Sequence, residues 1–458
     1  MPDDVTSATV PAPASGGRRR QVVAWSLWDW GSAAFNAVVT TFVFTRWITS
    51  EDFVEQGADA TAVMAEHSAW LGWGLAAAGL VIAVLAPAIG TLADASGRRK
   101  LWLGINSAMV FASMVAMFFV RPEPGSLSDA VILGVVLLSV GNVFFELASV
   151  AYNALLLQIS TPDTIGRVSG WGWGAGYVGG IVLLLVLFVG FINPDVGWFG
   201  VTGEDGMNIR VSVLISAFWF ALFAVPVLTM VPEEPRTAAR TSLGVADAYR
   251  KLGRDIAGLW RTQRSTLWYL VASAIYRDGL AGVFTFGAVI ASGTFGFSAS
   301  EVIVFAIAAN LVAGLSTFVG GWLDDKVGPR RVVVWSLVIL VAAGLGVFFL
   351  HDGGTTVFWV CGLVLSGCVG PAQSASRALL GRLATPGHEA EAFGLYATTG
   401  RAASFLAPLA FSVAVTLGGA QYWGILGLVA VILLGLVVLL RVRFPAGLGI
   451  NGARDRKG

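Results

Sequence analysis

Long apolar runs separated by short polar turns occupy almost the whole chain. A helix needs about 20 mostly apolar residues to cross a bilayer. Twelve segments reach that length: 22–47, 68–91, 101–120, 129–157, 168–192, 209–231, 267–292, 299–323, 332–350, 355–380, 390–416 and 420–441. They are spans 1 to 12. The longest polar stretch, 232–266, divides them six and six. The pattern predicts an all-α integral membrane protein with twelve transmembrane helices in two six-helix bundles. The expected domains are a disordered N-terminus (1–21), a first bundle (22–231), a linker (232–266), a second bundle (267–441) and a tail (442–458).

The polar turns repeat. GTLADASGRRK at 90–100 and GWLDDKVGPRR at 321–331 agree at Gly90/Gly321, Asp94/Asp325 and Gly97/Gly328, with an offset of 231. A second pair, Leu155-Leu156, Thr161-Pro162 and Gly170 against Leu379-Leu380, Thr385-Pro386 and Gly394, has an offset of 224. Equivalent joints in the two halves carry each pair, which is the mark of a duplicated bundle.

Composition narrows the class. The chain is 56% hydrophobic and 12% charged, against about 25% charge in soluble chains. The net charge of +1 offers nothing to nucleic acid. Cys361 and Cys368 sit seven residues apart in one apolar run, about 10 Å apart along a helix and too far for an intrachain disulfide. His67, His351 and His388 are scattered, so no metal or cofactor is expected. With the termini inside, 23 of the 29 Lys/Arg fall on the inner side, and only Arg121 and Arg210 fall outside. That bias favours cytoplasmic termini. Arg18–Arg20 lead straight into span 1, which reads as an inside-anchored helix. In the linker, Leu252, Ile256, Leu259 and Trp260 recur at helical spacing among Arg250, Lys251, Arg254, Arg261 and Arg264. Two readings stay open: an amphipathic helix on the inner leaflet, or a solvated linker.

The doubled loop, with twelve spans and a central linker, resembles the major facilitator superfamily across the chain. Narrower patches resemble its vacuole-effluxer branch, also called the unknown major facilitator family. These are LWDWGSAAFNAVVTTFVF (27–44), YNALLLQISTPDTIGRVSGWGWGAGYVGG (152–180), IYRDG (275–279) and GHEAEAFGLYATTGRAASFLAPL (387–409). The resemblance implies a transporter, not an enzyme, that works as a monomer with spans 1, 4, 7 and 10 around a central cavity. Fungal members are associated with amino-acid release from the vacuole. For Gly90, Asp94, Gly97, Arg98, Gly321, Asp325 and Gly328 it implies a gating motif, with Asp94 latching the halves. A plain topogenic basic loop is the other reading.

Ionisable residues deep in a bilayer are costly and point to function. Span 1 offers Asp29, span 4 Glu146, span 7 Arg277 and Asp278, and span 11 Arg401. Arg277 and Asp278 project about 100° apart on a helix, so each needs another partner. Arg401 can serve one of the acids. The substrate-binding candidates are Asp29, Trp30, Tyr276, Arg277, Asp278 and Gln373. An arginine with an acid suits a zwitterion. Glu146 and Asp29 are the candidate proton carriers. A structural ion-pair network is the competing reading. Asn36, Asn142, Asn153 and Asn310 add neutral polar groups, and Arg46 and Arg377 are read as snorkelling. Gly172, Gly176 and Gly180 form a small-residue stripe expected to meet the other half. The expected function is secondary active transport of a small solute in a bacterial cell membrane. An exporter of lipophilic compounds and a non-transporting membrane sensor are the alternatives.

Overall fold

The computed structural model describes residues 15–96, 98–160, 165–232, 245–383 and 389–444. Helix α1 (Ser15–Ala33) continues through a π-helical stretch (Ala34–Phe42) into α2 (Phe44–Ile48). These three pieces make span 1. Spans 2 to 6 are α3 (Ala60–Ser96), α4 (Arg99–Met117), α5 (Leu127–Ile159), α6 (Ile165–Leu187) and α7 (Met207–Met230). The linker holds α8 (Val245–Thr262). Spans 7 to 10 are α9 (Arg264–Gly293), α10 (Ala299–Val327), α11 (Pro329–Phe349) and α12 (Gly354–Leu383). Span 11 is broken into α13 (Glu389–Ala402) and α14 (Leu406–Gly418), and α15 (Trp423–Arg441) is span 12.

Eleven of these spans are long and apolar enough to cross a bilayer as they stand. The composite span 1 supplies the twelfth crossing. It escapes a simple length test because its π stretch divides it and three arginines open it. The N-terminus is helical from Ser15 rather than from Val22, and residues 1–14 lie outside the described residues.

The helices are apolar on several faces, so the outward ones meet lipid. Leu80, Val84, Leu222, Leu311 and Leu315 are half exposed or more. Inward faces pack into two bundles. In the first, α1 lies on α6 and α7, and α5 on α3 and α4. In the second, α9 lies on α15, and α12 on α10 and α11. Close approach depends on missing side chains. A Cβ on Gly435 of α15 would lie 2.7 Å from the backbone nitrogen of Tyr276. The α6 stripe faces span 1 rather than the other half: Gly172 and Gly176 pack on Asp29, and Gly180 packs on Ala33. Each glycine lets the backbone of α6 approach its partner inside one bundle.

The halves meet chiefly on the face that carries the 48–59 loop. There the buried Gln421 amide donates to Thr49 O (3.2 Å), Met64 O (3.1 Å) and Ser68 Oγ (2.6 Å). Ser412 on α14 donates to Ala69 O on α3. On the opposite face α8 spans α3 and α9, and the Tyr249 hydroxyl donates to Val84 O. Trp260 and Ile256 on α8 stay exposed.

Gly435→Val should overpack the α9–α15 contact and cost about 1–3 kcal/mol, read as a lower thermal midpoint in detergent. Gly314→Ala, where nothing lies within 4 Å, should leave that midpoint unchanged.

Candidate functional site

A cavity of about 410 Å³ lies between the halves. Spans 1, 4 and 5 build most of its wall. Phe284, Asn310 and Gln373 close it from spans 7, 8 and 10. A smaller void of about 60 Å³ is lined by Phe42, apolar residues of the second bundle and Ser366; of these two, the larger carries the ionisable groups.

The π-helical stretch shapes one wall. A π turn frees backbone carbonyls, and hydroxyls take them up. Thr41 Oγ1 donates to Asn36 O at 2.7 Å, and Thr45 Oγ1 to Thr40 O at 3.2 Å. The widened turn carries Asn36 into the cavity.

Asp29 sits one turn before that stretch and lines the cavity. Its Oδ2 accepts from the Tyr152 hydroxyl at 3.0 Å. Trp25 and Trp28 stack on the Tyr152 ring, with centroids 4.4 and 4.3 Å away. Trp25 Nε1 also donates to Tyr152 O at 3.0 Å, so the ring that orients Asp29 is held from three sides. A Cβ at Gly172 would come within 2.8 Å of the carboxylate. The glycine stripe therefore makes room for the acid.

Glu146 lines the same cavity from α5. Its partner comes from the other half: Arg401 Nε lies 3.3 Å from Glu146 Oε2, and Arg401 Nη2 donates to Ser149 Oγ at 3.3 Å. Arg401 stands in the last turn of α13, where a cation complements the helix dipole. This ion pair spans the divide between the bundles.

Four expected substrate contacts lie elsewhere. Trp30 packs on Trp219 and Phe223 of α7, away from the cavity. Tyr276 is fully buried, its hydroxyl 2.5 Å from Ser376 Oγ on α12. Arg277 lies over the Tyr396 ring at 3.9 Å and donates to Tyr396 O at 3.3 Å. Asp278 accepts from Ala407 N at 2.6 Å. Helical geometry explains the outcome: consecutive residues of α9 point about 100° apart, so each met a different neighbouring helix. Of the six expected substrate residues, the structure brings Asp29 and Gln373 to the cavity, beside Glu146. Asn36, Asn153 and Asn310 also line it, and Asn142 does not.

The gating residues are partly described. The backbones of Gly90 and Asp94 lie in α3, and those of Gly321 and Asp325 in α10. Their side chains, and Gly97 altogether, lie outside the described residues. Arg98 precedes α4. Gly328 has φ +88°, which favours glycine, and joins α10 to Pro329 at the start of α11. Its neighbour in the motif, Asp324, is buried and lies 3.3 Å from Arg382 of α12. Asp324 was not singled out in the sequence because the repeat points to Asp325.

The cavity also uses residues that sequence reasoning passed over: Ser149, Tyr152 and Tyr177. The 224-residue offset relates Ser149 and Tyr177, though not Tyr152, to residues the sequence singles out. It carries Ser149 onto Gln373, Asn153 onto Arg377 and Tyr177 onto Arg401. Arg377 is exposed. Spans 1 and 7 align as well. Trp28–Gly31 falls on Tyr276–Gly279, 248 residues later, which sets Asp29 against Arg277. Gly31 packs on α7 and Gly279 on α15, so the two helices share a register. No signal of this kind marks Gln421, a lone amide in a turn.

Residues 158–448 match the family described as "Vacuole effluxer Atg22 like". The chain is similar to an uncharacterized MFS-type transporter, YxiO, of Bacillus subtilis, at 25% identity over 92% of this chain and 94% of that protein. It is similar to autophagy-related protein 22 of Cryptococcus neoformans at 27% identity, over 62% of this chain and 51% of that protein. Among solved structures, a D-xylose-proton symporter superposes with a TM-score of 0.66 at 15% identity, covering 95% of this chain and 98% of that one. A bacterial homolog of the human lysosomal transporter Spinster, inward-facing and unoccupied, does so with a TM-score of 0.63 at 14% identity, over 96% and 98%. These likenesses carry the major facilitator fold. With more than half of its length inside the family match, the chain belongs to the vacuole effluxer Atg22-like family of membrane transporters.

Proposed function

We propose that this secondary transporter moves small zwitterionic solutes, amino acids foremost, by proton-coupled alternating access. The observation that carries the reading is the meeting of opposite charges from the two halves at the cavity. The first half lines it with Asp29 and Glu146, and the second sets Arg401 against Glu146. A solute with an ammonium and a carboxylate bridges such walls: Asp29 takes the ammonium, and a guanidinium takes the carboxylate. Without solute, Glu146 occupies Arg401. Protonation of Glu146 ends that pairing and frees Arg401 for the solute carboxylate, so proton and solute enter one cycle.

The Lys/Arg bias supports cytoplasmic termini in a bacterial cell membrane. On that reading, Gln421 and Ser412 close the outer gate. The halves must part there for the cavity to face outward.

A second reading, export of lipophilic compounds, draws support from Arg277 and Asp278, which are engaged in packing. It also expects an apolar cavity. Asp29, Asn36, Asn153, Asn310 and Gln373 weigh against it.

Purified protein in liposomes, screened with labelled standard amino acids with and without a pH gradient, tests the proposal. No uptake or exchange of any of them would refute it. Asp29→Asn should lose one charge-assisted contact, about 1.5–3 kcal/mol, and raise KM roughly 10- to 150-fold. The variant should also cease to discriminate between an amino acid and its N-acetyl analogue. Undiminished discrimination counts against Asp29 as the ammonium site. Glu146→Gln should still exchange labelled for unlabelled solute, yet accumulate none under an imposed pH gradient. Accumulation at the native level removes Glu146 from coupling. Gln421→Ala should raise the labelling rate of a thiol placed by Asn36→Cys when a charged reagent is added from outside, and an unchanged rate argues against the gate.

A further inference from the structure

Span 11 is discontinuous, and its break lies beside the ion pair that joins the halves. α13 ends at Ala402, α14 begins at Leu406, and residues 403–405 form a turn. At the break Ser404 N and Ser404 Oγ both donate to Arg401 O, at 3.2 and 2.9 Å. The first turn of α14 thus starts a new helix: Leu406 N donates to Ala403 O at 3.0 Å, and Ala407 N turns to a partner outside span 11. Pro408 falls in that turn, where its missing N–H costs nothing. A break inside lipid is tolerable only when protein satisfies the freed groups.

Span 7 supplies what the break requires. Asp278, buried on α9, accepts from Ala407 N at 2.6 Å and so caps α14 from another helix. Its neighbour Arg277 grips α13: the guanidinium covers the Tyr396 ring at 3.9 Å and donates to Tyr396 O at 3.3 Å. Gly400 leaves room for it, since a Cβ there would lie 3.2 Å from Nη1. The two side chains therefore hold the two pieces of span 11, one each. Arg401 lies next to Gly400 and just before the break.

We propose that Arg277 and Asp278 form a clamp on the broken eleventh span that positions Arg401 for Glu146. They are positioning residues and do not touch solute. The proposal rests on the reading of Glu146–Arg401 as the coupling pair only for its consequence in transport; its geometric content stands apart. Around Glu146 the titratable and charged groups are its ion-pair partner Arg401 from α13, and Asp29, Tyr152 and Tyr177 on the cavity wall.

The test uses the full chain in liposomes, with Cys361 and Cys368 replaced by Ser. Glu146→Cys with Arg401→Cys gives two thiols, and the rate of their bridging by a short bis-maleimide reports how α13 faces α5. Adding Asp278→Ala should slow bridging about tenfold, equivalent to about 1.4 kcal/mol. Asp278→Asn keeps an oxygen that can cap the helix, and should bridge at the native rate. Arg277→Lys loses the planar face over Tyr396 and should slow bridging about threefold. It is also the informative variant if Asp278→Ala does not fold. Unchanged bridging in whichever of these two folds overturns the clamp. With Glu146 and Arg401 native, a mixture of ³H-labelled amino acids provides the transport readout. Asp278→Ala should lower gradient-driven uptake about tenfold, while exchange stays within twofold of native. Equal losses in both, with bridging unchanged, mean a purely structural role and also overturn it. If Glu146→Gln and Arg401→Gln respond to the gradient as the native chain does, the coupling reading falls, and the bridging rates still decide the clamp.

Discussion

A backbone N–H or C=O left unpaired in hydrocarbon costs several kcal/mol, and every unusual feature of this fold answers to that constraint. Regular helices meet it without help. The π-helical stretch in span 1 meets it with the Thr41 and Thr45 hydroxyls, which take carbonyls of Asn36 and Thr40. The break in span 11 meets it with the Asp278 carboxylate on Ala407 N. Gln421 meets it across the halves, where its amide takes two carbonyls of the first bundle. In span 1, in span 11 and at Gln421 the irregular backbone is met by a polar side chain, whereas the π-helical end of span 5 (Phe188–Ile192) closes with a backbone bond from Asn193 N to Phe188 O at 2.9 Å. Function and backbone accounting are therefore tied to the same few residues.

The sequence made the architecture plain because lipid simplifies the pattern. Twelve apolar runs, two repeated turns and a one-sided Lys/Arg distribution need no tertiary information. Side-chain direction does need it. Asp29 and Asp278 look alike in the sequence, as acids near the middle of spans 1 and 7. Asp29 faces the cavity and Asp278 faces the break in span 11, a difference set by the neighbouring helices. Pro408 carried a local sign of that break. The glycine stripe of α6 was legible as a close contact, yet its partner was not: a small-residue face fits any nearby helix, and span 1 is the one that lies against it.

The repeat is also informative where it fails. Positions related by the 224-residue offset hold equivalent places in the two halves but not the same chemistry. Tyr177 corresponds to Arg401, and Asn153 to Arg377. In the same way Asp29 corresponds to Arg277. The scaffold kept its twofold register, seen in Gly31 and Gly279 against the last helix of each half. The polar groups mounted on it diverged in charge.

That divergence has a consequence for how a solute arrives. Two halves with the same charges would create a potential that is symmetric across the axis between them, with no preferred orientation for a guest. Asp29 and Glu146 on one wall, with Arg401 of the other half set against Glu146, create a transverse field instead. In a narrow, low-dielectric space such a field acts on a dipolar molecule before any contact forms. On the proposed reading, a zwitterionic solute entering this cavity is turned before it is bound, and which end leads is decided by the protein rather than by chance collision.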